Sequence, residues 1–444
     1  MDTIVALTSA WGRSGVGLLR ISGPDAINVL NSLIREPREW TPRRLQLCKL
    51  YGRKGLIDEA LVSYFKGPNS FTGEDVVELS CHGNPVIIEM LIDQCVFLGC
   101  RPARPGEFSR RAFENGKLSL LQAEALHGLI SSRSSMGVEL AHQNFQGAMQ
   151  KGVDELNEKL LDICAELEAR LDYPQEGLGY ETDVALIQRL NKVSKSAFES
   201  AETWQAGKIR IHGAKLALIG PVNAGKSSLF NELAGRKRAL VSPIPGTTRD
   251  VVEHTILMDG IELTLMDMAG IRSETSDSIE SEGIALGIEM LREADFCLIV
   301  LPLNEYSETE LESLIAMVGN VPRIVVGSHC DLIDSDSQPT SVDVLLSNLT
   351  GEGLDSLRER IRNYLHQNPQ GNSEWIVLSQ RQHDLLNSIA RHASEAAFAL
   401  EGDIGPAGAA EDIMCAMERL YELSGSNPRE VVLDRMFSRF CIGK

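Results

Sequence analysis

The chain has 444 residues, 43% of them apolar, and a formal net charge of −19. That length predicts two or three domains with real cores, and the acidity excludes a broad non-specific nucleic-acid surface, because such binding rests on neutralising phosphates. No run of eighteen apolar residues suggests a membrane span, no basic-then-apolar leader suggests export, and nine scattered cysteines, with no C-x-x-C pair and no close Cys/His cluster, argue against a structural zinc site and a disulfide framework and for reduced cytoplasmic thiols.

Four textures follow one another. Residues 1–117 mix short apolar runs, such as Leu61–Phe65 and Val76–Leu79, with many Gly and Pro turns, which predicts a small α+β domain. Residues 118–212 read as helix: Val153, Leu156, Leu160, Ile163, Leu167 and Leu171 recur every three or four positions until Pro174. In 213–366, strand-length runs (Lys215–Ile219, Val251–Met258, Glu262–Met266, Phe296–Leu301, Arg323–Val326) alternate with helical patterns, predicting a mostly parallel sheet covered on both faces. In 367–444 helical periodicity returns over Ile376–Leu400 and Ala409–Leu423. The simplest architecture is an α/β unit inserted into one discontinuous helical domain.

The most informative motif is Gly220-Pro221-Val222-Asn223-Ala224-Gly225-Lys226-Ser227, which fits G-x-x-x-x-G-K-[ST] between a strand and a helix that opens near Ser228. Glycines let the N–H groups of the loop converge on phosphate oxygens, and the helix N-terminus adds its positive end. Asn223, Ala224, Gly225, Lys226, Ser227 and Ser228 are the predicted phosphate binders, with Lys226 on the outer phosphates and Ser227 on Mg²⁺. Asp267-Met268-Ala269-Gly270 follows at the end of a strand. Asp267 there can order water on Mg²⁺, and the Gly270 N–H can sense the terminal phosphate. Thr248, in Gly246-Thr247-Thr248-Arg249-Asp250, can complete the Mg²⁺ shell. Ser328-His329-Cys330-Asp331 places a carboxylate where it can accept two guanine N–H groups that adenine lacks, and Ser347-Asn348 would close the base pocket. The order of these motifs predicts a Ras-like P-loop fold that binds and hydrolyses GTP.

Outside that unit, three further signatures stand out: Gly12-Arg13-Ser14-Gly15-Val16-Gly17-Leu18-Leu19-Arg20-Ile21-Ser22-Gly23; the pair Gly67–Asp75 and Ala103–Ser109, continuing to Lys117; and the terminus Phe440-Cys441-Ile442-Gly443-Lys444. With these, the chain resembles the MnmE (TrmE) family of bacterial tRNA-modification GTPases over nearly its whole length. The resemblance implies a folate-binding α+β domain, a helical domain and an inserted GTPase domain. It implies a homodimer formed through the N-terminal domains, and a heterotetramer or larger complex with the FAD-dependent partner MnmG. Together the two would add an aminomethyl or carboxymethylaminomethyl group to C5 of the wobble uridine of certain tRNAs, from a tetrahydrofolate derivative (5,10-methylene- or 5-formyl-tetrahydrofolate). It places folate contacts on Arg20, Glu78, Lys117 and Lys444, where cations suit the glutamate carboxylates and Glu78 suits the pterin. Cys441 would be a nucleophile or stabiliser near the transferred carbon, against the alternative of a buried, inert thiol. The resemblance also implies K⁺, held by Asn223 and by carbonyls of Ser242, Ile244 and Thr247, in place of an arginine finger. Glu280 would orient the attacking water if one residue is inserted after Arg272.

The chain departs from the family pattern at three points. Met268 replaces the usual Thr, Ser328 and His329 replace Asn and Lys in the base loop, and Asn348 replaces Ala and crowds the base. The expected result is preserved guanine preference with weaker binding. Three rival readings keep part of the evidence: a K⁺-dependent GTPase switch without tRNA chemistry, a non-hydrolysing nucleotide-binding module, and a folate-dependent transferase with a weakened GTPase. The first has no use for Arg20, Glu78, Lys117 or the Cys-Ile-Gly-Lys terminus, and the second leaves Lys226, Ser227, Thr248 and Asp267 unexplained.

Overall fold

A computed structural model describes residues 2–35, 38–172, 180–234, 252–267, 291–333, 339–366, 375–402, 405–426 and 430–443, with backbone alone at Val252, Glu253 and Asp267. The chain forms two compact units. One comprises Met1–His127, Asn144–Ala197 and Leu385–Lys444, and the other Gly128–Gln143 and Phe198–Asp384.

The first unit holds a six-stranded sheet in the order β3-β4-β5-β2-β1-β6, from β1 (Ile4–Leu7), β2 (Ser14–Ser22), β3 (Gln46–Gly52), β4 (Gly55–Phe65), β5 (Val76–Gly83) and β6 (Arg101–Pro102). Alternation assigns its faces. Val5, Leu7, Leu19, Ile21, Val77 and Leu79 point to one core with α1 (Ala26–Ile34) and α2 (Pro85–Phe97). Ile4 and Ala6 point the other way, to Phe108 of α3 (Glu107–Glu114). Arg20 and Glu78 share that second face. At the β3 edge, Leu47 and Leu61 face each other across strands and are both exposed, with Leu45 and Leu56 nearby in sequence.

Helices complete the unit. In α6 (Ala148–Asp172), Met149, Val153, Leu156, Leu160, Ile163 and Leu167 form one buried stripe. The helix stops at Asp172, and Pro174 lies outside the described residues. That stripe packs on α13 (Gly405–Ser424), whose alanines Ala409, Ala410 and Ala416 let the backbones approach. Here α12 denotes Gln380–Glu401 and α14 denotes Glu430–Phe437.

The second unit is the α/β unit. Its sheet runs β12-β11-β10-β7-β9-β8, from β7 (Ala214–Ile219), β8 (Val252–Met258), β9 (Ile261–Asp267), β10 (Phe296–Pro302), β11 (Arg323–Ser328) and β12 (Val344–Leu345). Within this sheet, among the described strands, only the β8–β9 pairing is antiparallel. Leu216, Leu218, Leu298 and Val300 pack against α9 (Lys226–Ala234) and α11 (Leu354–Leu365), while Ala217, Ile219, Cys297 and Ile299 pack against α10 (Glu308–Val318). Both faces are therefore covered, and every residue of β10 is buried.

One expected helix begins late. The apolar period starting at Ile376 suggests a helix from there, but α12 starts only at Gln380. The Val377 N–H donates to Thr203 Oγ1 and the Leu378 N–H to Gln382 Oε1, so the preceding segment is fixed by side chains. Its apolar residues Trp375, Val377 and Leu378 are buried in non-helical backbone.

Candidate nucleotide and folate sites

β7 ends at Ile219, between β9 and β10, where the strand order reverses; open α/β sheets place ligands at such a point. Gly220 turns the chain there with φ +148°, and a Cβ on it would stand 2.0 Å from the Val300 carbonyl oxygen. Only glycine fits. Asn223 is left-handed at φ +63° and exposed, Ala224 is buried, and α9 starts at Lys226, so its first-turn N–H groups open toward the loop. Ser227 and Ser228 are exposed at that helix start. Lys226 is buried, and its ammonium donates to the carbonyl oxygens of Gly220 at 2.9 Å and Pro221 at 2.6 Å. It thus lies folded across the loop it serves. Asp267 closes β9 in register with Leu218, which sets its backbone beside the start of the loop.

The base-loop residues converge on the same place. Ser328 is fully buried and donates to Leu301 O at 3.1 Å, so it ties β11 to β10 and faces away from solvent. His329 is left-handed at φ +58°; its Nδ1 lies 3.3 Å from Asn304 Oδ1, and its Nε2 lies 3.7 Å from where a Gly225 Cβ would be. Asp331 is exposed. The neighbouring Cys330 thiol is pushed up by burial and by the charges of Glu352 and Asp331. Ser347 is buried, and its hydroxyl accepts from the N–H groups of Leu349 and Thr350, holding the turn. Asn348 reaches the phosphate loop: its Nδ2 donates to Gly225 O at 3.1 Å, while its Oδ1 is buried without a hydrogen bond. Ser242, Ile244, Thr247, Thr248, Gly270 and Glu280 lie outside the described residues.

In the first unit, Arg20 and Glu78 are cross-strand partners, with Arg20 Nη2 donating to Glu78 Oε1 at 2.7 Å and Nε donating at 3.0 Å. The Arg20 guanidinium carbon is 5.2 Å from the Phe71 ring centre and 5.6 Å from that of Phe108. Lys117 is exposed, and its stem lies beside Gly73 in the loop that carries Phe71. Gly443 sits against the end of β1, where a Cβ would stand 2.1 Å from Leu7 O, so the C-terminal tail meets this sheet. Lys444 lies outside the described residues. Cys441 is exposed, which removes the buried-thiol alternative.

A second cluster on this face joins residues that no single motif gathers. Buried Arg111 donates to both oxygens of Glu74 at 3.1 Å, to Asp2 Oδ1 at 2.6 Å and to Glu107 Oε1 at 3.1 Å. Arg101 pairs with Glu107 at 2.6 Å and with Asp2 at 2.7 Å, and Glu74 accepts from Ser22 Oγ at 2.6 Å. Burial pushes the Glu107 carboxyl up, but hydrogen bonds from Arg101, the Arg104 N–H and Arg111 outweigh it and leave it below its ordinary value. The cluster fixes the loop of Phe71 against α3. Its sequence signal is the recurrence of Glu74 and Glu107 inside two Gly-rich motifs.

Two family models match the chain: the GTP-binding protein TrmE N-terminus over residues 3–117, and the MnmE helical domain over residues 120–441. A tRNA modification GTPase MnmE of Thermotoga maritima is 34% identical over 453 residues, covering 100% of both chains. The protein of that name from Legionella pneumophila is 37% identical over 449 residues, again covering 100% of each. Among solved structures, the G domain of the T. maritima FeoB iron transporter is 29% identical; the match covers 34% of this chain and 98% of that one, with a TM-score of 0.26.

Proposed function

Because this chain belongs to the MnmE family of tRNA-modification GTPases and is a GTP hydrolase, we propose that its GTPase cycle drives the modification of C5 of the wobble uridine in certain tRNAs. The observation that carries this reading is one chain holding both a phosphate loop that carries Lys226 and, in its first unit, an Arg20–Glu78 pair together with exposed Lys117 and Cys441. The carbon would come from 5,10-methylene- or 5-formyl-tetrahydrofolate, and the FAD-dependent MnmG would be the partner.

In the GTPase unit, Lys226 leaves the Gly220 and Pro221 carbonyls to meet the outer phosphates. The N–H groups from Asn223 to Ser228 hold the inner ones, and Asp331 reads guanine. The donor set fits a hard cation: Ser227 offers an exposed hydroxyl, and Asp267 and Thr248 complete the set. Mg²⁺ bound there would neutralise charge on the phosphate oxygens. Asn223, exposed and left-handed, is the candidate K⁺ ligand with carbonyls of Ser242, Ile244 and Thr247, and Glu280 would align the water. Gly270 would sense the terminal phosphate.

In the first unit, the Arg20 guanidinium would take a folate carboxylate, and Glu78 would accept from the pterin. Lys117 and Lys444 would supply cations for the folate carboxylates, and Cys441 would act at the transferred carbon. The exposed Leu47–Leu61 pair, across edge strand β3 and its neighbour β4, supports a homodimer through this sheet. Among the described residues no helix is long and apolar enough to cross a membrane, and we place the activity in the cytoplasm. The net charge of −19 suggests that MnmG supplies most of the basic tRNA surface.

The deciding experiment is GTP hydrolysis in K⁺ against Na⁺ buffer with ATP as competitor. A large K⁺ stimulation that ATP leaves unchanged is expected, and Asn223→Ala should abolish the K⁺ effect. Equal rates in the two salts would remove the K⁺ site. Folinate binding tests the other half. Arg20→Ala should weaken it by about tenfold or more, the worth of a charge-assisted hydrogen bond; unchanged affinity would leave a GTPase switch without folate chemistry.

A further inference from the structure

Within the first unit, α12 and α13 bring three potential ligands together: His392 and Glu395, three residues apart on α12, and Asp412 on α13. His392 Nδ1 lies 3.1 Å from Glu395 Oε2 and 3.9 Å from Asp412 Oδ1, and the three donor atoms fall within 4.8 Å of one another. We propose that these side chains hold a divalent transition-metal ion of the zinc class, at a site built from none of the residues assigned to nucleotide or folate.

Charge and geometry both support it. Three ligands at about 2.0–2.1 Å from a tetrahedral Zn²⁺ would stand roughly 3.4 Å apart, and the present separations bracket that value. His392 Nδ1 is buried yet makes no hydrogen bond, although Glu395 Oε2 lies 3.1 Å away. A buried polar atom in that state has the geometry of a donor waiting for a ligand. Two carboxylates, Glu395 and Asp412, stand beside a single imidazole there. Arg391 sits at the rim, pairing with Glu395 Oε1 at 3.0 Å and lying 3.2 Å from His392 Nε2. It is 59% exposed and free to swing outward once Nε2 carries the proton, as metal ligation through Nδ1 requires. An imidazole beside two carboxylates selects against Ca²⁺ and Mg²⁺, which take oxygen ligands. Three protein ligands on a partly exposed surface leave a fourth position for water. The ion would join α12 to α13 side by side.

The test uses the full chain, nucleotide-free and chelator-treated, titrated with Co²⁺ alone. One Co²⁺ per chain should bind and show weak ligand-field bands without the intense thiolate-to-cobalt absorption that cysteine ligation gives. Zn²⁺ should displace it and raise the melting temperature by linkage. His392→Ala and Asp412→Asn should each lose this binding with unchanged far-ultraviolet circular dichroism, while Cys441→Ser keeps it. Should either ligand variant unfold, the other carries the test. Absence of stoichiometric Co²⁺ binding, a thiolate spectrum, or binding that survives both ligand substitutions would overturn the proposal.

Discussion

Replacing Lys226 by alanine will lower GTP hydrolysis by at least about 10²–10³-fold, the usual cost of removing one preorganised charge or donor from a transition state. The ammonium is buried and held by two carbonyl oxygens of its own loop, Gly220 and Pro221. Those bonds keep the ammonium within the loop until the outer phosphates take the place of the two carbonyls. Alanine leaves the two carbonyls to water at the loop surface, and the fold should survive. Single-turnover hydrolysis at saturating GTP, with the melting temperature measured alongside, separates the outcomes. A near-normal rate in a folded variant would mean that the phosphate loop is not where the reaction occurs.

The second large effect concerns stability. Arg111→Met should destabilise the protein by about 3–5 kcal/mol, the range for removing one partner of a buried ion pair. Glu74 and Glu107 are almost as buried as Arg111, and Asp2 also depends on it. The pH dependence follows from the lowered Glu107 carboxyl. Its contribution is fully present above its unfolded value, about 4.5, and is lost as pH falls through the lower folded value. The variant keeps the Arg101 and Arg104 N–H bonds to Glu107 and loses only the Arg111 one, so part of this contribution is already gone and the gap from the wild type should narrow as pH falls below about 4.5. Denaturant unfolding at several pH values reads this directly; a gap that is constant or grows in acid would refute the network account.

What the sequence discloses depends on how local the chemistry is. The phosphate loop is legible because one short stretch carries all its requirements: glycine where Val300 leaves no room for a Cβ, Lys226 six positions on, and a helix immediately after. The fold class is legible for a related reason. The inserted unit switches from helical to strand periodicity at Ala214 and back at Leu354. Residues 376–379 mislead because their apolar spacing suits a helix, while Thr203, far away in sequence, holds Val377 extended. Arg111 stays hidden because its partners come from the N-terminus, the Phe71 loop and α3, and no one-dimensional pattern joins them. The Asn348 substitution is visible as an oddity, but its bond to Gly225 O is not.

The build of the first unit sets an order of events during synthesis. The apolar stripe of α6 leaves the ribosome roughly 230 residues before α13, and every described strand of the α/β sheet is made in the interval. At about 5–20 residues per second, Val153, Leu156, Leu160 and Leu167 wait some ten to fifty seconds for their partner helix. The α/β unit, by contrast, holds every strand of its sheet within one stretch of chain and can close while translation continues. The nascent protein therefore passes through a stage in which its nucleotide-binding half is finished and its helical half is an open, sticky surface. That stage is when a holding chaperone matters most, and it makes α6 the segment where slow translation or a polar-to-apolar substitution would first show as aggregation.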